Sequence, residues 1–575
     1  MLPIRPHARR RRNDIFRSPV TRFFPRGRRP LVARARARSP PLTSAPSRAP
    51  LSFDSSQSQV FRGASRADKG KQLELQNAIL GSDDARAILE VVGESLEHFS
   101  AVNAVTALYR IARSLTSRAG RLRRKEASFV TADPRFLQLV EAVEERSAQL
   151  DRVGLENRKW AYHKLMLPSE YRARAALSVR LLDRAKDLQG ELMDAVDVEQ
   201  ILLMVEDQCE IFNKVNVSTA LHRVARLATT NMPGVAPVDA AAVMHDPRFA
   251  KLMTLVEETA EEMAVVSVSN VLWALARLHY PASPELVDIL AARAARECAS
   301  AEPRHLSTVM WALAVLGHEP RSRLLAAVAD RAIETAEGFR APDIVNIMWS
   351  YARWHRVAAG GAPGTAKVVD ALCTVALRNL ENFTPYQCAN LAWSLAMLEA
   401  PLPSPRALGL ILDRAAKEPA SLDPTALTHT LWAVGVKGTS MDGNSGSFQT
   451  LLAEAASRAT AKRVGRAGAA GVIWACGRLQ VTPRPGEIDA LLGRLLDGGR
   501  GGKQPLESQA LVHAVWGVSQ MEGVTMSEEH RASSLAHARR LVAAGRMSEP
   551  HAEALLASAA GAGLDPRAME EALAA

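Results

Sequence analysis

The stretch SNVLWALARL, residues 269–278, decides how the chain is divided. Its core recurs as VLWALARL at 271, VMWALAVL at 309, IMWSYARW at 347, LAWSLAML at 391, TLWAVGVK at 430, VIWACGRL at 472 and AVWGVSQM at 514. The central residues Trp273, Trp311, Trp349, Trp393, Trp432, Trp474 and Trp516 follow one another at intervals of 38, 38, 44, 39, 42 and 42. Seven of the 9 tryptophans thus mark one period near 40, which is the signature of stacked repeats rather than of separate compact domains.

The N-terminal half carries the unit in altered form. Residues 102–114, VNAVTALYRIARS, match 215–227, VNVSTALHRVARL, at 8 of 13 positions without a gap. Residues 133–145, DPRFLQLVEAVEE, match 246–258, DPRFAKLMTLVEE, at 8 of 13. Both pairs share an offset of 113, and the same offset carries Trp160 onto Trp273. A block of that length is duplicated, and Tyr109 and His222 take the tryptophan position. The registers are then 109, 160, 222, 273, 311, 349, 393, 432, 474 and 516.

Each unit reads as two helices. The first is a segment such as LLAAVADRAIETA, residues 324–336, with apolar residues at spacings of three and four. The second opens with proline eight residues before the tryptophan at Pro303, Pro385 and Pro424, with Thr384 and Asp423 preceding the last two. That is an N-cap followed by proline at the first helical position, where its missing N–H costs nothing. A lone helix pair cannot bury its apolar faces, so units stack. The expected fold is all-α, a right-handed α-solenoid of stacked helix pairs with about ten repeats of roughly 40 residues. It comprises degenerate repeats over 72–266, regular tryptophan-marked repeats over 267–526 and a helical C-terminal cap over 527–575.

Placing the tryptophan at zero and advancing about 100° per residue puts Val271, Leu272, Leu275 and Leu278 on one buried face. The positions three before and four after fall together at about 60° and 40°, on a polar stripe. Three before stand Asn157, Asn270, Asn346, Asn390, His429 and His513, with Thr106, Thr219, Thr308 and Gly471 in the other units. Four after stand Arg113, Lys164, Arg226, Arg277, Arg353 and Arg478. Arginine neutralises phosphate or stacks on a base, and asparagine pairs with a base edge, so these twelve are candidate RNA-binding residues. The stripe equally suits a solvated helix face or hydrogen bonds between repeats. The tryptophans are expected to pack between repeats rather than stack on bases.

Bulk charge does not argue for nucleic acid. The formal +11 arises in residues 1–50, where 14 arginines and one acid, Asp14, give 14 − 1 = +13, so residues 51–575 sum to 11 − 13 = −2. The segment 1–65 reads as an organelle transit peptide, since it is nearly free of acids and lacks an apolar secretory core; a basic arm that binds nucleic acid is the other reading. Prolines at 3, 6, 19, 25 and 30 disfavour a mitochondrial presequence helix, whereas the missing secretory signal disfavours a complex plastid. The mitochondrion is the expectation and the plastid the alternative. No run of 18 apolar residues exists, which excludes a membrane-spanning helix.

No catalytic, metal or cofactor signature is present in the sequence. GGRGGKQ at 498–504 lacks the GxxxxGK[ST] spacing of a phosphate loop. No HExxH occurs, the histidines do not cluster with cysteines or carboxylates at ligand spacing, and five scattered cysteines form no CxxC pair. The chain is expected not to be an enzyme and to need no cofactor.

The phrases SNVLWALARL (269–278) and ANLAWSLAML (389–398), with DPRF leading an acidic helix, resemble the octotricopeptide-type repeats of algal and protist organelle RNA factors. They are also similar to the helical repeats of FAST-kinase/RAP-domain proteins and of the trypanosome RNA-editing substrate-binding complex. The resemblance spans about residues 81–520. It implies binding of single-stranded organelle RNA, in transcript stability, processing or translation, with other RNA-processing or ribosomal proteins as possible partners. The RAP domain has no counterpart after Trp516, the PPPEW phrase of some algal repeats is absent, and unit lengths vary from 38 to 62. The rival reading is a HEAT- or armadillo-like scaffold for proteins.

Overall fold

A computed structural model describes residues 66–116, 121–230, 238–319, 321–355, 365–398, 401–437, 446–497 and 506–574. The leader at 1–65, the glycine-rich 498–504 and most of the two other glycine-rich insertions lie outside the described residues. Among the described residues there are 27 α-helices and no strand beyond an isolated bridge between Thr116 and Leu122. None of the described helices is long and apolar enough to cross a membrane.

Every register residue sits in its own helix, and all of these helices begin eight residues earlier. They are Ala101–Ser114, Arg152–Lys164, Lys214–Thr229, Val265–Leu278, Pro303–Leu316, Ala341–His355, Pro385–Met397, Pro424–Lys437, Arg466–Arg478 and Ser508–Ser519. The expected caps are present: Thr384 and Gln387 form a capping box, and the Asp423 carboxylate accepts from the Thr425 and Ala426 amides, both at 2.8 Å. Each of these helices also has a buried apolar anchor ten residues before its register residue, namely Phe99, Leu150, Phe212, Met263, Ala301, Phe339, Phe383, Leu422, Val464 and Leu506. In the first eight units the anchor directly follows a 3-10 turn, such as Cys298–Ser300 before Ala301. The anchor and the helix start fix the depth at which each register residue enters the layer.

The chain forms two compact units. Among the described residues, one holds 66–223 with Pro247–Leu255 and the other holds Val224–Asp246 and 256–574. In the larger unit, the register helices from Val265–Leu278 to Ser508–Ser519 pack one on the next, and the last packs on Glu549–Ala559. A second layer runs beside them, in which Pro284–Arg296, Ser322–Glu334, Thr365–Arg378, Ala407–Ala416, Gly446–Thr460, Glu487–Leu496, Glu528–Ala543 and Pro566–Ala574 pack in the same succession. Two parallel layers built from nearest-neighbour contacts are solenoid packing. The buried face is wider than one helical wheel shows. Val271, Leu272, Leu275 and Leu278 are buried, and so are Ala274 and Ala276, as Val265–Leu278 packs on both Pro303–Leu316 in its own layer and Pro284–Arg296 in the second.

In the smaller unit, Arg66–Gly81, Ala101–Ser114, Arg152–Lys164 and Ser169–Asp194 pack in succession, and Ala85–Ser95 packs on Pro134–Glu145. One set of hydrogen bonds recurs at the offset of 113 residues. Asn103 Nδ2 donates to Gln76 Oε1 at 2.8 Å and to the Gln72 carbonyl at 3.1 Å. In the second copy, Asn216 Nδ2 donates to Gln189 Oε1 at 3.0 Å and to the Ala185 carbonyl at 2.9 Å. Gln76 donates to Thr106 and Gln189 to Thr219. Arg110 donates to the Ser82 carbonyl and Arg223 to the Ala195 carbonyl. Buried amides with all their bonds made fix one helix register, which explains why this polar set recurs inside an otherwise apolar layer.

Candidate nucleic-acid interface

The register residue organises its surroundings from two directions. The cation four residues later, one helical turn along the same face, lies over its own indole: Lys164 is 5.9 Å from the Trp160 ring, Arg277 5.9 Å from Trp273 and Arg353 5.4 Å from Trp349. In two units the residue three before the register tryptophan lies on the preceding indole. His429 stacks on Trp393 with ring centres 6.2 Å apart and planes 25° from parallel, and His513 is 5.7 Å from Trp474. Tyr109 and Trp160 are 5.0 Å apart, and Trp474 and Trp516 are 6.3 Å apart. The two stripe positions therefore converge on the tryptophans.

The register tryptophans range from buried to partly exposed. Trp311, Trp349 and Trp393 are buried, whereas Trp160, Trp273, Trp432, Trp474 and Trp516 keep a partly exposed edge. Asn157, Asn270, Asn346 and Asn390 are all half-buried, and the Asn390 side chain hydrogen-bonds Tyr386. Thr106 and Thr219 are buried and bonded to the glutamines of the duplicated lock. The position three before the register is thus a contact between helices as much as a polar surface.

His429 and His513 change character for the same reason. Burial against the indoles pushes both imidazoles down to about 4, with the nearby His551 adding to the effect at His513. Both are neutral at physiological pH, so neither supplies positive charge for phosphate. Each of the two stripe histidines rests on an indole of the preceding unit.

The cations behave differently. Arg113, Arg226, Arg353 and Arg478 are exposed, and Lys164 and Arg277 are half-buried. Among the described residues no carboxylate pairs with Arg113, Arg226, Arg277, Arg353 or Arg478. Arginines of the second layer are instead committed, as in Arg293 with Glu297 at 3.0 Å, Arg331 with Glu334 at 2.8 Å and Arg458 with Glu454 at 2.6 Å. Arg277 also donates to the Thr229 carbonyl at 3.4 Å, and burial lowers its pKa from the ordinary value. A guanidinium remains charged through such a shift. Arg277, Arg353 and Arg478 belong to the larger unit, as does Arg226, and Arg113 and Lys164 to the smaller.

Among the described residues no group of histidines, cysteines and carboxylates could hold a metal ion. Burial pushes the thiols of Cys298, Cys373 and Cys388 up to about 11, 12 and 12, which leaves them protonated and poor nucleophiles.

A family model described as RNA-editing substrate-binding complex 6 protein matches residues 75–399. The match spans more than half of the chain, from the duplicated block through Trp393. No curated protein matches the sequence.

Proposed function

The chain belongs to the RNA-editing substrate-binding complex 6 protein family, and from that premise we propose that it binds single-stranded organelle RNA along the register edge of its helices. One observation carries this reading: Arg277 and Arg353 lie over their indoles without a carboxylate partner among the described residues. Guanidiniums held in this way present charge and a planar face to a phosphate or a base, while the second-layer Arg293, Arg331 and Arg458 are paired with carboxylates. The chain supplies binding, not chemistry, within an assembly of RNA-processing proteins. The proposed compartment is the mitochondrion, with 1–65 removed on import; N-terminal sequencing that returned Met1 from the organelle protein would overturn the cleavage.

The test is the salt dependence of binding. Replacing Arg277, Arg353 and Arg478 with Gln should lower the slope of log affinity against log salt by about 0.7 for each phosphate no longer neutralised. Arg478→Gln alone should change stability by less than about 0.5 kcal/mol, as exposed substitutions do. A triple variant with the wild-type slope and affinity would refute the interface. A protein-scaffold reading is favoured by one feature of the smaller unit: Leu177 and Leu181, one turn apart on Ser169–Asp194, are 48% and 42% exposed. Recovery of protein partners without RNA after nuclease treatment of the organelle would support that second reading.

A further inference from the structure

The first copy of the duplicated block carries a basic and aromatic cluster that the second copy lacks. Residues 121–126, RLRRKE, hold four cations and one acid. At the offset of 113, Arg121, Arg123, Arg124, Lys125 and Phe129 correspond to Gly234, Ala236, Pro237, Val238 and Ala242. The residues that face the core are retained instead. Ala127 and Val130 correspond to Ala240 and Val243, and the two valines are 6% and 8% exposed. Folding thus fixes the inner positions of this segment and leaves the outer ones free to differ. The cations and the phenylalanine of the first copy answer to something outside the fold.

The cluster begins where a register helix ends. Arg113 stands in the last turn of Ala101–Ser114, the Arg123 amide donates to the Leu115 carbonyl at 3.0 Å, and Thr116 bridges to Leu122, which pins the basic segment to that end. Arg113, Arg124 and Lys125 are exposed, and among the described residues no carboxylate pairs with any of them. The Glu126 carboxylate is taken by Arg123 at 3.3 Å. Phe129 lies on Arg124–Thr131 one turn after Lys125, on the same face. It is 75% exposed, more than any other large hydrophobic side chain among the described residues. We propose that Phe129, Arg124, Lys125 and Arg113 form a contact site for single-stranded RNA, with a base stacked on the Phe129 ring and the flanking phosphates held by the three cations. Every base has a flat face to lay on an aromatic ring, and Arg and Lys neutralise the phosphates beside it. Continuity with Arg113, a cation of the register edge, favours RNA over a membrane surface or an acidic protein segment. The site rests on the RNA reading above and adds to it an aromatic contact in the smaller unit, outside the register line.

The experiment measures affinity of the full chain for a fluorescein-labelled mixed-sequence single-stranded RNA across a salt series, in wild type, in Phe129→Ala and in the double variant Arg124→Gln, Lys125→Gln. The second copy already carries alanine at Ala242, so Phe129→Ala should melt as wild type. It should weaken binding by roughly tenfold, the scale of one base stacked on an aromatic side chain, with an unchanged salt slope. The double variant should instead lower the slope, by about 0.7 for each phosphate released. Ultraviolet cross-linking of the wild-type complex, mapped by mass spectrometry, should label the peptide EASFVTADPR, residues 126–135. Wild-type affinity and slope in both variants, or cross-links that avoid this peptide, overturn the site while the register-edge arginines keep their own salt dependence. Binding to phosphatidylserine vesicles that Phe129→Ala abolishes, with RNA affinity unchanged, overturns it in favour of a membrane surface. If the wild-type chain shows no salt-dependent RNA binding, both the site and the RNA reading fall.

Discussion

Gly477 and Gly517 touch backbone to backbone: a Cβ on Gly477 would stand 2.6 Å from the Gly517 Cα. The relationship joins two neighbouring register helices, Arg466–Arg478 and Ser508–Ser519, three residues after one tryptophan and one residue after the next. Gly435 approaches Ala475 by the same rule, and in two earlier units the equivalent positions are the buried alanines Ala276 and Ala312.

Gly477→Ala should therefore destabilise the protein by about 1–3 kcal/mol through overpacking against backbone that cannot move aside. Gly471→Ala, six residues away on the same helix, should be nearly neutral, since its Cβ would be 3.5 Å from its nearest neighbour. Urea denaturation of the two variants checks the contrast, and equal midpoints would contradict the packing described.

Trp311 is 7% exposed in the middle of the larger unit. Trp311→Ala should cost roughly 3–5 kcal/mol by leaving a cavity between helices. A variant with unchanged melting but weaker RNA binding would instead make this indole a base-stacking surface.

The duplicated amide lock offers a test of coupling. Asn216, 1% exposed, satisfies both Gln189 and the Ala185 carbonyl. Asn216→Ala should cost about 1–3 kcal/mol because buried acceptors are left unsatisfied. A double-mutant cycle with Gln189→Ala should show a coupling of about 0.5–3 kcal/mol. Simple additivity would mean that the two amides do not act as one unit.

His429 and His513 make stability depend on pH with a definite sign. Their folded pKa values of about 4 lie below the unfolded value of about 6.5, so the unfolded chain takes up protons first as pH falls. Their contribution is intact above about pH 6.5 and is lost progressively between there and about pH 4. The His429→Gln, His513→Gln double variant should lose less melting temperature than wild type between pH 7 and pH 4.5, by calorimetry. Parallel losses would show that neither imidazole is held neutral.

The register was legible because tryptophan is rare in this chain and falls at one place in every late unit. Helix starts followed from Pro303, Pro385 and Pro424, and the buried face from the spacing of Val271, Leu272, Leu275 and Leu278. The contact of His429 with Trp393 was not legible in the same way. A helical wheel orders residues around one axis, whereas this contact depends on how two helices of neighbouring units are offset against each other. The amide lock left a signal that a longer comparison reveals: the same offset of 113 also carries Leu75 and Gln76 onto Leu188 and Gln189. Likewise, the apolar anchor ten residues before each register residue is present in every unit, but its types range from phenylalanine to alanine, so no single letter announces it.

The 3-10 turns and anchors ahead of the register helices are held by arginines of the second layer. Arg293 donates to the Met263 carbonyl at 3.1 and 3.0 Å, Arg331 to Ala301 at 3.2 Å and Arg494 to Val464 at 2.6 Å. Each clamp spans 30 residues and fastens one second-layer helix to the segment that launches the register helix before it. Opening such a segment requires the following second-layer helix to let go. Exchange of amide hydrogens should then occur in blocks of helix pairs rather than helix by helix, and the cooperative length of the array is set by these guanidiniums as well as by its apolar layers.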